Sequence, residues 1–446
     1  MVTAVENEIL TRIGPGTPMG AYFRRFWQPA LLSEEVPAPD SPPVRVTLLG
    51  ERLIAFRDSS GRVGLVARYC RHRQADLFFG RNEEGGLRCA YHGWKFDVDG
   101  NCMDLPTEPA ESRLQQQVTA VTYPCEEHAG IVWAYMGPRN LPVEFPWLEF
   151  NHLPAEHIFL RKSLLECNFM QALEGQFDSS HLGFLHSFIN AEINPTARRR
   201  ALLAGKPPPA PVKTGNRQIS ERDVLPQMEA KETDFGFMLA AKRPTGSGKT
   251  YLRITQWCLP NHTFICNTPG DTLLWDTWVP IDDHNTWAYR ISYNPWRPLT
   301  AGERYEFENA GLMPFSVQNA PGTYHPIRNR SNDYLIDRYV QREFSYSGIQ
   351  GNNAQDAAII ENLGPTSIYD RTQETLGVTD IGIARARRRL LSEVRELKNG
   401  VEPVAACNGD LYRVRPIAVY VPDDDSIPFD EHEEVRKYLT PERTDK

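Results

Sequence analysis

The chain has 446 residues, 41% hydrophobic and 24% charged, with a formal net charge of -8 at pH 7. That length exceeds one ordinary core and predicts two domains, while the acidic balance argues against a nucleic-acid partner, whose binders are normally basic. The first ten residues lack a basic stretch followed by an apolar one, and no apolar run reaches the roughly 18 residues that span a bilayer, so a cytoplasmic protein with no membrane partner is the expectation.

From Val44 to Met136 the chain reads as short strands separated by turns. Val44–Leu48 and Leu53–Phe56 flank Gly50-Glu51, and Asp58-Ser59-Ser60-Gly61 predicts a tight turn into Val63–Val66. Trp94, Phe96 and Val98 alternate with polar residues before the hairpin signal Asp99-Gly100, and Ile131–Tyr135 reads as a closing buried strand. A small all-β domain with an N-terminal extension is therefore expected over residues 1–145.

Beyond Pro138 the character changes. A helix is predicted from Glu166 to His186, where turn residues are sparse. Residues 191–213 contain Pro207-Pro208-Pro209, which excludes regular helix or central strand and suggests a lid. Thr250–Phe264 and Thr272–Tyr293 are strand-like, and Asp380–Lys398 reads as a last helix stopped by Gly400. Residues 146–446 are thus expected to form a second domain of strands and helices.

Of eight cysteines, Cys70 and Cys89 stand out, each with a histidine two or three positions on. Cys70-Arg71-His72 is followed by sixteen residues, Arg73 to Arg88, and then by Cys89-Ala90-Tyr91-His92. Two thiolates and two imidazoles can bind zinc or divide between the irons of a [2Fe–2S] cluster. Zinc sites of this composition usually pair cysteine with cysteine and histidine with histidine. Here each arm supplies one of each, so each loop can give its thiolate to one iron and its imidazole to the other. Neutral imidazoles in place of two thiolates raise the cluster's potential, which suits a relay fed by a flavin or ferredoxin donor.

Cys70–Arg73 and Cys89–Phe96 resemble the two Rieske boxes of bacterial ring-hydroxylating oxygenase α-subunits, with Arg71 where that family commonly has proline. The resemblance implies an α+β chain. An N-terminal all-β Rieske domain would precede a helix-grip catalytic domain built on an antiparallel sheet.

The second box runs from Asn168 through Asp178-Ser179-Ser180-His181 to His186. Two histidines and one carboxylate with open positions form the ligand set of O₂-activating non-haem Fe(II). Asp178 and His181 would share a helix face. His181 and His186 would lie about 140° apart on an ideal helix, so one metal could take both only where the helix bends or bulges. The missing carboxylate is assigned to Asp356, 170 positions on (356 minus 186), because Asp356–Asn362 resembles the family's segment carrying the aspartate ligand. Glu361 is the alternative. The resemblance also gives Asp178 a bridging role between His181 and His92 of the partner subunit, which implies a cyclic trimer or stacked hexamer. The other reading of Asp178 is an intrachain carboxylate that orients His181.

Thr11–Gly20 and the box ending in Asp370-Arg371 look most like the phthalate-dioxygenase group. That implies an oxygenase that turns an aromatic carboxylate into a cis-dihydrodiol with O₂ and electrons from a separate NAD(P)H-dependent reductase. Monooxygenation or O-demethylation of a substituted aromatic acid or heterocycle is the alternative. A substrate carboxylate buried near iron needs a cation or hydroxyls. Arg243, at a predicted strand edge, is the first candidate, followed by Ser179 and by Lys206 in the predicted lid.

Overall fold

The computed structural model describes residues 2–109, 111–187, 225–266, 272–309, 317–424 and 426–443. Two short helices open the chain, α1 (Ala4–Thr11), started by a Thr3 capping box, and α2 (Pro18–Phe23), whose first N–H groups are capped by Thr17. They pack on the second half of the chain rather than on the strands that follow. Phe23 meets Phe169 edge-on at 4.9 Å, and Asn7 donates to the Tyr369 carbonyl.

The strands expected between Val44 and Met136 are present. β1 (Trp27–Leu32) pairs with β11 (Ile131–Tyr135), which also takes β10 (Cys125–His128). A second sheet joins β2 (Val44–Leu48), β3 (Glu51–Arg57), β4 (Val63–Ala67) and β9 (Thr122–Tyr123). The predicted turn between β3 and β4 is fixed by the Asp58 carboxylate, which accepts from the Ser60 and Arg62 N–H groups, and by Gly61 at φ 90°. A third sheet, β5 (Arg81–Glu83), β6 (Gly86–Arg88), β7 (Lys95–Phe96) and β8 (Cys102–Asp104), carries the Cys/His loops. Its core is separate and small: Ile54, Phe56, Leu87 and Phe96 are packed around Cys70 and Cys89.

The second half is built on one antiparallel sheet in the order β12-β18-β17-β16-β15-β14-β13. Its strands are β12 (Ile158–Leu165), β13 (Gln227–Thr233), β14 (Gly236–Pro244), β15 (Lys249–Cys258), β16 (His262–Ile265), β17 (Leu273–Pro280) and β18 (Thr286–Tyr293). β19 (Ile417–Pro422) pairs with β15 beyond the point where β16 ends. The single block expected over Thr250–Phe264 is therefore two strands, broken at Leu259-Pro260-Asn261, where Pro260 has no N–H for a ladder. Thr272–Tyr293 likewise folds back as a hairpin, turned by the Asp282 carboxylate accepting from the His284 and Asn285 N–H groups. Alternation along β14 and β15 sorts the two faces. Met238, Ala240, Leu252 and Ile254 pack beneath Ile417 and Phe429, whereas Phe237 and Trp257 face Phe177.

That inner face is covered by α3 (Phe169–Gly175), α4 (Asn352–Ile360) and α5 (Ile381–Lys398), the last ending as expected just before Gly400. Among the described residues, no helix is long and apolar enough to cross a membrane. The helix expected over Glu166 to His186 is far shorter. It ends at Gly175, and only a short 3₁₀ turn, His181–Gly183, follows. The cause is local: the Asp178 carboxylate accepts from the Ser180 and His181 N–H groups at 2.7 and 3.2 Å, satisfying backbone donors that a helix would otherwise need.

Candidate metal centres

The two Cys/His loops are copies of one turn. Cys70 N–H donates to the Ala75 carbonyl and its own carbonyl accepts from Gln74, at 2.9 and 3.0 Å; Cys89 does the same with Trp94 and Gly93, at 2.8 and 3.0 Å. Each turn needs a left-handed residue at its fifth position, Gln74 at φ 58° and Gly93 at φ 77°. At Gly93 a side chain would also come within 2.6 Å of Pro106, so only glycine fits. Both thiols are buried, and burial together with the adjacent Cys89 pushes Cys70 up to about 11. His72 stacks on Trp94 with ring centroids 4.4 Å apart and meets His92 edge-on at 4.6 Å. Its Nδ1 is buried with no hydrogen-bond partner.

A buried imidazole nitrogen without a partner, beside paired buried thiols, is a donor set that lacks its cation. Among the described residues, only His181, His186 and Asp356 bring three possible ligand atoms within 4.8 Å of one another. Two arms that each bring one thiol and one imidazole fit a two-iron group.

The His181, His186 and Asp356 set is the second centre. His186 Nε2 lies 3.1 Å and His181 Nε2 3.7 Å from Asp356 Oδ1, with the two rings 5.0 Å apart and nearly perpendicular. No bulged helix is needed to bring the histidines together, because the chain has already left helix at Gly175. Each ring is held from behind. Gln355 Oε1 lies 2.6 Å from His186 Nδ1, and Asp178 Oδ2 lies 3.5 Å from His181 Nδ1. Burial raises the Asp356 carboxyl, but the His186 and His181 rings outweigh it and hold Asp356 below its ordinary value. Against burial, which lowers it, the Asp178 contact and the Asp356 charge hold His181 above its ordinary value. A proton on this set stands where a divalent cation would replace it, so the donors fit a mononuclear iron.

Glu361, the alternative ligand, is not in this group. Its carboxylate receives the Tyr334 hydroxyl and the Glu166 N–H. Asp178 has Ser180 and His181 as its partners within the chain, and among the described residues His92 is not one of them. Arg243 lies near the end of β14, where it pairs with Tyr251 of β15 and has no β13 partner. It is nonetheless fully buried, and its Nη2 donates to the Ser179 carbonyl and hydroxyl at 2.9 and 3.2 Å. Lys206 and the 191–213 segment lie outside the described residues.

Sequence reasoning missed four neighbours. Arg253, two positions from Tyr251 on the same face of β15, is buried and donates to Ser179 Oγ at 3.4 Å and to the Cys266 carbonyl at 3.2 Å. Asp276 and Arg290 are cross-strand partners on β17 and β18, 3.3 Å apart. Burial, opposed by Arg290 and aided by the Asp356 charge, pushes Asp276 up to about 6. Gln355 could have been flagged as the residue adjoining Asp356. Arg253 and Arg290 carried only strand alternation as a signal.

Helix α3, which leads into Asp178, is anchored by charge. Glu174 is 5% exposed and accepts a fork from fully buried Arg371, at 2.8 and 2.9 Å, plus Arg387 Nε at 2.6 Å. Burial alone would raise this carboxyl, but Arg371 and Arg387 hold it lowered. Asn168 caps the other end and donates to the Thr11 and Asp283 carbonyls.

Residues 26–124 match a family described as Rieske [2Fe-2S] domain, and residues 134–420 one described as LigXa C-terminal domain like. The 3-chlorobenzoate-3,4-dioxygenase oxygenase subunit of Comamonas testosteroni is 37% identical over 424 residues, 92% of this chain and 93% of that protein. The phthalate 4,5-dioxygenase oxygenase subunit of Pseudomonas putida is 36% identical, over 90% of this chain and 88% of that protein. The 5,5'-dehydrodivanillate O-demethylase oxygenase subunit of Sphingobium sp. is 30% identical, over 91% and 83%. Among solved structures, Pseudomonas putida CBB5 NdmA superposes with a TM-score of 0.55 at 17% identity, covering 92% of this chain and 99% of that one. Dicamba monooxygenase bound to dicamba gives 0.55 at 18% identity, covering 84% and 98%, a likeness of fold. Paired turns for a two-iron cluster, a histidine–histidine–carboxylate centre and relatives over nine-tenths of the length lead to one conclusion: the chain belongs to the Rieske non-haem iron oxygenases, as an oxygenase subunit of the phthalate-dioxygenase-like group.

Proposed function

We propose that this oxygenase dihydroxylates an aromatic carboxylate, phthalate- or benzoate-like, to a cis-dihydrodiol. Residues 1–145 form its cluster-bearing unit and 146–446 its catalytic unit. Cys70, His72, Cys89 and His92 hold the [2Fe–2S] cluster, and His181, His186 and Asp356 hold the mononuclear iron. When bound, these groups supply single electrons and the oxygen chemistry, respectively.

The protein's part is to orient and to exclude. Gln355 and Asp178 fix the two histidine rings so that both Nε2 atoms face Asp356. Asp178 also bridges to His92 of the partner subunit, which makes the working unit a trimer or stacked hexamer. A separate NAD(P)H-dependent reductase of flavin or ferredoxin type is the electron donor.

The observation that carries the substrate class is buried positive charge on the inner sheet face. Arg243 and Arg253 both reach Ser179, one residue from Asp178 and two from His181. Two buried guanidiniums beside a hydroxyl suit a planar carboxylate that must leave water. Relatives named for chlorobenzoate and phthalate support the same class. O-demethylation is the second reading, favoured by the relative named as an O-demethylase.

The test is incubation of the holoenzyme with a generic reductase, NAD(P)H and ¹⁸O₂ on a panel of benzoates and phthalates. A dihydrodiol carrying both labelled oxygens is expected. Loss of a methyl group or one labelled oxygen would favour the second reading, and no oxygenated aromatic acid at all would overturn the substrate class.

A further inference from the structure

β16 and β19 divide one edge of β15: β16 pairs with Gln256, Trp257 and Cys258, and β19 takes the stretch from Lys249 to Ile254. β16 stops at Ile265, and among the described residues no strand bridges β17 to β19 beyond it. The sheet therefore splits. A cavity of about 530 Å³ lies at the split, inside the roughly 300–1,000 Å³ range of ligand pockets. Cys266 and Leu273, at the ends of β16 and β17, form one side, and residues 416–419 at the start of β19 form the other.

The walls are apolar and the mouth is aromatic. Leu273, Ile417 and Ala418 are buried, whereas Trp296 is 48% and Tyr438 37% exposed, with their rings edge-on at 6.5 Å. Rings of that size gain from any apolar body that covers them. Trp296 is also held in place. Asn294 Oδ1 accepts from the Trp296 and Arg297 N–H groups at 3.0 and 3.2 Å, and the Arg415 guanidinium lies 5.5 Å from the Trp296 ring. A lip fixed in advance loses little freedom when a ligand packs on it.

Charge narrows the class of ligand. Arg297 lies 2.8 Å from Glu303, and Arg415 donates from Nε and Nη2 to the Glu149 carboxylate. Both cations of the wall are thus answered within the chain. A charged ligand would leave water here without a partner, while an uncharged ring gives up little and gains the wall contacts. Arg253 on the inner face differs, because among the described residues no carboxylate pairs with it and its partners are the Ser179 hydroxyl and the Cys266 carbonyl.

We propose that this cavity binds an uncharged aromatic molecule of one or two rings, held between Leu273 and residues 416–419 and covered by Trp296 and Tyr438. The site is separate from the iron centre: none of His181, His186, Asp356, Ser179 or Arg253 lines it. It goes beyond the aromatic-acid reading above and does not depend on it.

The test is calorimetric titration of holoenzyme with indole, an uncharged probe, and with benzoate as the charged comparison. Trp296→Ala and Tyr438→Ala are each expected to bind indole about tenfold more weakly than wild type, and Trp296→Phe within about threefold of it. Benzoate affinity is expected to be the same in wild type and Trp296→Ala. The cluster's visible spectrum and the thermal midpoint report the fold of each variant; if one alanine variant is destabilised, the other decides together with Trp296→Phe. No indole binding by wild type, or equal indole binding by wild type and both alanine variants, would overturn the site. Benzoate binding that weakens alongside indole binding in Trp296→Ala would overturn the uncharged class. Binding is read without turnover, so a failure to oxygenate aromatic acids bears on the proposed function alone.

Discussion

Gln355 Oε1 sits 2.6 Å from His186 Nδ1, and the next residue, Asp356, places Oδ1 3.1 Å from the same ring's Nε2. Consecutive residues in the middle of one helix thus grip both nitrogens of one imidazole. Gln355 is itself held, because its Nε2 donates to the Ile349 carbonyl at 2.7 Å. That fixes the amide with its oxygen toward the ring, so His186 carries its proton on Nδ1 and leaves Nε2 free for a metal.

Gln355→Leu removes this hold while leaving the ligand trio intact. Iron affinity at the mononuclear centre is expected to fall about 10–100-fold, with the cluster's spectrum unchanged. Titrating Fe(II) into metal-depleted protein and following recovered activity measures it.

Asp178→Asn separates two roles. Asparagine keeps an oxygen for the Ser180 and His181 N–H groups, so the turn survives. Iron content should be normal while turnover falls about 10–100-fold or more. Stopped-flow reoxidation of the pre-reduced cluster is the decisive reading: slow reoxidation supports a bridge to His92 of the partner subunit, and wild-type reoxidation leaves Asp178 only orienting His181.

The Glu174 network makes a stability prediction. Arg371→Met removes the fully buried fork and leaves the Glu174 charge to Arg387 alone. Stripping one partner from a buried pair costs about 3–5 kcal/mol, and the remaining Arg387 contact places this variant near the lower figure. A lowered unfolding midpoint with an intact cluster spectrum is the expected result.

These sites were legible to different depths. The β-rich first half and the Cys/His boxes could be read because strand alternation, Asp-Gly turns and ligand spacing are local signals. The helix across His181 could not, since the Asp178 side chain competes with the helix for the same N–H groups. Arg243 and Arg253 look like solvated charges in sequence, and only the sheet order reveals that both face inward. Gly93 was quoted within a motif, yet its reason, the Pro106 contact, is a tertiary one.

His262 links the two halves and should respond to pH. It is 1% exposed, stacked on Trp275 and beside Trp133 of β11, and burial lowers it from 6.5 to about 3. The folded ring stays neutral where the unfolded one takes up a proton. Stability is therefore full above pH 6.5 and is lost as pH falls toward about 3, by up to about 1.4 kcal/mol per pH unit. His262→Phe should flatten the fall of the thermal midpoint between pH 6.5 and about 5 relative to wild type.

The central claim is that a two-iron cluster and a third iron, held by His181, His186 and Asp356, share one chain. Iron and acid-labile sulfide analysis of wild type and Asp356→Ala, with turnover measured on the same samples, tests it most directly. About three irons and two sulfides per chain are expected in wild type. In the variant, about two irons, an unchanged visible spectrum and no product are expected. Three irons and normal product formation in Asp356→Ala would contradict the assignment.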